Sequence, residues 1–119
     1  MDFATSQLEQ VELTIEAAKE NIRVMNSLQR LIKNKDFKIV IDDGYLRDEA
    51  VRLVHLKADY NLQEADKQAH IIKGIDSIGY LRAYFSKIFQ QGSASEGALT
   101  DQEATREELL AEDLMGDES

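Results

Sequence analysis

No proline occurs anywhere in the 119 residues. Proline removes a backbone donor and clashes with the preceding turn, so a chain without it has nothing that forces a helix to stop. Of the six glycines, only two stand where long elements would end. Long uninterrupted helices are therefore favoured, within one domain at most. A compact domain of this length buries roughly two-thirds of its unfolded surface. There is no cysteine, which excludes a disulfide framework, a thiolate metal site and a catalytic thiol. The opening MDFATSQLEQ lacks the basic start and apolar run of a signal peptide, and no apolar stretch approaches the ~20 residues that span a bilayer. A soluble, intracellular protein is expected.

The apolar pattern supports helices. Residues 36–59, DFKIVIDDGYLRDEAVRLVHLKAD, placed on an α-helix at about 100° per residue, form two opposed stripes. Phe37, Val40, Ile41 and Val51 make one, and Ile39, Leu46, Ala50 and Leu53 the other. A helix apolar nearly all round requires cover nearly all round, and the long segments 1–33 and 61–91 are the natural covers. The run FKIVI followed by DDG also fits a strand entering a hairpin turn. Helical spacing of Phe37, Val40, Ile41 and Tyr45, continued in phase by EAVRLVHLKA, favours helix. Gly44 then lies mid-helix at a cost of roughly 1 kcal/mol against alanine, which close packing on a neighbour would justify.

The first segment carries a heptad seam of Leu8, Val11, Ile15, Ala18, Ile22 and Met25. A second line, Leu13, Ala17, Val24, Leu28 and Leu31, widens the apolar face. Such a face serves either as one intramolecular packing surface or, with the part left over, for self-association into a homo-oligomer. Asn34 or Asp36 is available to cap the next helix, and Asn61 with Glu64 forms a capping-box pattern for the third. That third helix has an apolar arc of Ile71, Ile72, Ile75, Ile78, Leu81, Phe85, Ile88 and Phe89, with Gly74 and Gly79 on its flanks. Arg82 falls inside this arc and needs a partner, for which Asp48 is best placed, giving a candidate buried ion pair.

Charge divides the chain. Residues 1–92 hold 14 acids and 13 bases, whereas residues 93–119 hold 9 acids and Arg106 alone. Gly92 and the GSASEG run read as a helix end and a flexible linker. Beyond them, Thr100 to Glu103 is a second capping-box pattern opening a short helix over 101–115. The expected organisation is thus a helical domain 1–92 and a mobile acidic tail 93–119. Within the tail, Leu109, Leu110, Leu114 and Met115 gather on one side once helical, a candidate partner-binding segment.

No catalytic motif is present: there is no phosphate-cradling glycine loop, nucleophile elbow or dinucleotide fingerprint. Asp42, Asp43, Asp48 and Glu49 lack calcium-loop spacing, and His55 and His70 lie on different helices. No cofactor and no metal are expected. Arg30, Lys33, Lys35 and Lys38 form a basic cluster, but neighbouring acids and the acidic tail argue against a nucleic-acid surface.

Two blocks carry a family resemblance. Gly44, Tyr45, Glu49, Ala50, Arg52, Leu53, Leu56, Ala58 and Asp59 fit GY-x-x-x-EA-x-RL-x-x-L-x-AD. Ile71, Ile72, Ile75, Ile78, Leu81, Arg82, Tyr84 and Phe85 fit II-x-x-I-x-x-I-x-x-L-R-x-YF. With the closing EATREELLAED, this order resembles a group of small helical proteins that tailed bacteriophages encode beside their virion-assembly genes. The departure is DFKIVIDDGY, where that pattern has a more conventionally helical run. The resemblance implies a non-enzymatic protein that acts in particle assembly or as a minor virion component. It places the protein in the host cytoplasm or in the virion. The tail's charge steers it towards a basic protein surface, such as that of a capsid or portal protein, and composition leads us to expect no membrane and no direct nucleic-acid contact. The rival expectation is an acidic phage protein that binds and inhibits or redirects a host enzyme by imitating nucleic-acid charge. The expected fold is all-α: a three-helix bundle or elongated helical hairpin with a coiled-coil-like first helix and a flexible acidic C-terminal tail.

Overall fold

A computed structural model describes residues 3–117, with side chains from 6 to 115. The described residues are almost wholly helical and contain no strand. Helix α1 is Phe3–Ile32. Helix α2 (35–58) is built of three successive runs: an α-helical turn Lys35–Phe37, a π-helical stretch Lys38–Glu49 and an α-helical run Ala50–Ala58. A 3₁₀ turn, Tyr60–Leu62, leads to α3, Ala65–Asp117. The all-α expectation holds, and the strand alternative for 37–41 does not.

The chain forms two compact units. One comprises Met1–Asn26 with Ile88–Ser119, and the other Ser27–Lys87. The division therefore does not fall between residues 92 and 93. Residues from Ser93 onward are half of a unit, and α3 runs through them without a break.

In the unit of Ser27–Lys87, α2 lies antiparallel to the first part of α3. Leu46, Leu53, Ile71 and Ile78 are the buried core, flanked by half-buried Ile41, Tyr45, Ala50, Leu62, Leu81 and Phe85. The π-helical stretch explains how α2 presents one apolar side rather than two. A π-helix closes i→i+5 bonds and holds about 4.4 residues per turn. Phe37, Ile41, Leu46 and Ala50 are spaced four, five and four apart, which follows that period. On an α-helix Ile41 and Leu46 would lie about 140° apart, but π geometry brings them within about 50°. Phe37 then meets Phe85 with ring centroids 6.1 Å apart. The expectation of cover on both sides is corrected: Ile39, Val40, Val51 and Val54 are exposed. Gly44 answers to its own helix, since a Cβ there would stand 3.1 Å from the Ile39 carbonyl oxygen.

The turns are capped by side chains. Asn34 Oδ1 accepts from the backbone N–H of Asp36 (2.9 Å) and of Phe37 (3.0 Å). At the other end of α2 the cap is Asp59, accepting from Asn61 N–H at 2.9 Å, so the expected Asn61–Glu64 box is not formed. The chain makes an extra 3₁₀ turn there, which brings Leu62 against the core. Gln63 Nε2 donates to the carbonyls of Lys57 and Asp59, and Gln68 Nε2 to those of Lys57 and Leu62. The Lys57 carbonyl, one that the helix end leaves without a backbone partner, is thereby satisfied.

In the other unit, α1 lies antiparallel to the last part of α3. Asn21 Nδ2 donates to Ser95 Oγ at 3.1 Å, Arg106 approaches Glu12 at 3.6 Å, and Gly92 lies against Met25. Val11, Ile15, Ala18 and Met25 are buried, with Ile15 fully so, and Leu8 and Ile22 are half-buried. On α3 the inward positions are Ile88, Gly92, Ser95, Leu99, Gln102, Arg106 and Leu109, all buried or half-buried at alternating spacings of four and three. The GSASEG run is thus helix and not linker. Its small residues admit close approach of α1: a Cβ on Gly92 would stand 2.5 Å from both Cβ and Sδ of Met25.

Candidate functional site

The sequence singled out three groups of residues, and the structure places each differently. The heptad seam Leu8, Val11, Ile15, Ala18, Ile22 and Met25 was a candidate self-association surface. It is instead the face that α1 turns to α3 within its own unit. The last part of α3, a formed helix, supplies that cover. Of the second apolar line, Leu28 is buried, whereas Leu13 is 71% and Leu31 46% exposed.

The candidate ion pair of Asp48 and Arg82 is also corrected. Arg82 Nη2 donates to the main-chain carbonyl of Leu46 at 3.2 Å, while Asp48 is held by its neighbour Arg47 at 3.1 Å in an exposed pair. The π-helix accounts for this. Where i→i+5 bonding gives way to i→i+4 bonding, one carbonyl near the junction is passed over. Leu46 lies in the last turn before that junction, and the guanidinium meets its oxygen. A carbonyl acceptor was not legible from a search for acids.

The C-terminal group divides. Leu109 is half-buried and joins Val11, Thr14, Gln102 and Thr105 around a groove of about 340 Å³. Leu110 is exposed, and Leu114 and Met115 are 69% and 72% exposed. They stand on a helix already formed, among Glu107, Glu108, Glu112 and Asp113. The unit that carries them has 14 acids and 3 bases, against 9 acids and 11 bases in the unit of Ser27–Lys87. Apolar side chains on a strongly acidic ground match, in chemistry, a basic surface that also offers apolar pockets.

A groove of about 490 Å³ between α2 and α3 was not foreseen. Tyr45, Glu49, Arg52, His70, Lys73 and Ser77 rim it, over Leu53, Ile71 and Gly74. Gly74 forms part of its floor, since a Cβ there would stand 3.1 Å from Leu53 Cδ1. Two of the groove's ions are engaged with each other. Arg52 grips Glu49 through two hydrogen bonds, which hold the Glu49 carboxyl below the ordinary carboxylate range. Arg23 does the same to Glu20 on α1. Among the described residues no buried side-chain nitrogen or oxygen lacks a hydrogen-bond partner, and no three His, Asp or Glu side chains gather as a metal site needs. No helix among them is long and apolar enough to cross a membrane.

No protein-family model matches the chain, and comparison with curated proteins and with solved structures likewise finds no match.

Proposed function

We propose that this chain is a non-enzymatic protein-binding protein that acts in bacteriophage particle assembly or as a minor structural component of the virion. The rationale for a phage setting is the resemblance of the blocks at 44–59 and 71–85. The observation that carries protein binding is the exposure of Leu110, Leu114 and Met115 on an acidic helix. In this reading α1 and the last part of α3 form an antiparallel coiled coil that holds the leucines out rigidly, so little ordering entropy is lost on binding. The partner is a virion protein with a basic patch, such as a capsid or portal protein, met in the host cytoplasm.

The acidity of the unit formed by Met1–Asn26 and Ile88–Ser119 favours a second reading, a host enzyme whose nucleic-acid channel the protein occupies. Mass spectrometry of purified particles separates the two. A virion component is present at regular copy number, and a host-directed inhibitor is absent. In either case Leu110→Ala with Leu114→Ala weakens partner pull-down at least tenfold and leaves the fold intact, because both side chains are exposed. Undiminished pull-down by that double variant sinks the binding role of these residues.

A further inference from the structure

Two exposed surfaces complement each other. The corner joining α1 to α2, residues 30–40, is basic and apolar at once. It carries Arg30, Lys33, Lys35 and Lys38 against the single acid Asp36, and exposes Leu31, Ile39 and Val40. None of the four bases takes part in an ion pair among the described residues. The corner is also stiff, since Asn34 caps it with two hydrogen bonds and its carbonyl accepts from Lys38 N–H at 3.0 Å. The second surface is on α1. Leu8 and Leu13 line an open groove of about 450 Å³ rimmed by Glu9, Glu12 and Glu16, of which Glu12 also meets Arg106 at 3.6 Å and Glu16 meets Lys19 at 4.0 Å.

We infer that the basic corner of one copy of this chain docks into the Leu8–Leu13 groove of a second copy. The occupant is identified by complementarity. Branched apolar side chains flanked by lysines meet an apolar groove flanked by glutamates, and the groove belongs to a unit with 14 acids and 3 bases. That same acidity opposes pairing of the groove with its own copy, as a two-fold contact there would set acid against acid. In the head-to-tail form inferred here each copy offers a corner to one neighbour and a groove to another, and a parent that stops at a two-fold dimer overturns it. Such contacts generate a ring if the rotation closes and a filament if it does not.

The inference goes beyond the proposed partner binding and uses neither Leu110 nor Leu114, so the two stand or fall separately. The experiment is sedimentation velocity of the full chain at rising concentration, with a corner variant (Lys35→Glu, Val40→Glu) and a groove variant (Glu9→Gln, Leu13→Gln). All four side chains are exposed, and circular dichroism checks that both variants fold as the parent does. The parent associates beyond a dimer at about 0.01 M salt, where charges act over ~30 Å, and at least tenfold more weakly at about 0.15 M. Each variant alone is monomeric. Mixed, they form a one-to-one dimer and nothing larger, because one intact corner faces one intact groove. A parent that stays monomeric at tens of micromolar in low salt overturns the inference. So does a mixture that forms no dimer, or a variant that dimerises alone, which would indicate a two-fold contact. A parent that stays monomeric while its groove takes up a synthetic Lys/Val amphipathic helix assigns the groove to a foreign partner and equally overturns it.

Discussion

A chain ending at Gly92 is expected to lose far more helix than the residues removed. Residues from Ser93 onward cover Val11, Ile15 and Ala18, and Arg106 neutralises Glu12. Without them α1 keeps a wet apolar seam in place of a packed one, and each large side chain so exposed costs about 1.5–3 kcal/mol. An isolated amphipathic helix is marginal in water, so residues up to Asn26 unfold or aggregate. The unit of Ser27–Lys87 retains its own core of Leu46, Leu53, Ile71 and Ile78 and stays helical. Hydrogen exchange resolves the two: amides of 6–21 lose protection in the truncated chain and amides of 50–58 keep theirs. If melting temperature and helix content per remaining residue are instead unchanged, the segment is the separable tail that its composition suggests.

Gly92→Ala is expected to destabilise the protein by about 1–3 kcal/mol, the usual penalty for overpacking. The new methyl would stand 2.5 Å from Met25 Cβ, an atom fixed to the α1 backbone, so no rotamer change relieves the clash. Met25→Ala in the same chain removes Sδ and Cγ but leaves that Cβ, and restores only part of the loss. Gly97→Ala supplies the contrast. A Cβ there meets nothing within 4 Å, and alanine is favoured over glycine mid-helix by about 1 kcal/mol. Thermal melts that rank Gly97→Ala above the parent and Gly92→Ala below it support a helix closely packed through this stretch. Two silent substitutions would indicate a flexible linker.

The sequence was most readable where one physical rule acted alone. Absence of proline anticipated helices that do not stop, and the heptad spacing of Leu8 to Met25 identified the residues that α1 buries. It failed where the test assumed the wrong ruler. Residues 36–59 seemed apolar all round only because they were wound at 3.6 residues per turn, whereas 38–49 follow the wider π period. It failed again where small residues carry the packing. Gly92 and Ser95 continue the inward positions of α3, but Gly and Ser give no hydropathy signal and compose linkers as readily as tight helix contacts. Of the four C-terminal apolar residues that the spacing sets on one side, Leu110, Leu114 and Met115 are exposed, while Leu109 turns inward beside Val11.

The antiparallel pairing of α1 with the far end of α3 also dictates an order of events. Leu53 and Gly74 meet across a short stretch of chain, whereas Asn21 and Ser95 are 74 positions apart. Closing the longer loop costs more entropy before any contact repays it. The hairpin of α2 with the start of α3 therefore forms first and takes up most of the slack between the two distant partners. The second pairing then advances from Met25 and Gly92 towards the termini, like a zip started at its closed end. Stopped-flow refolding checks this: Leu53→Ala slows folding, whereas Ile15→Ala leaves the folding rate nearly unchanged and speeds unfolding. Equal slowing by both would mean that the two pairings form together.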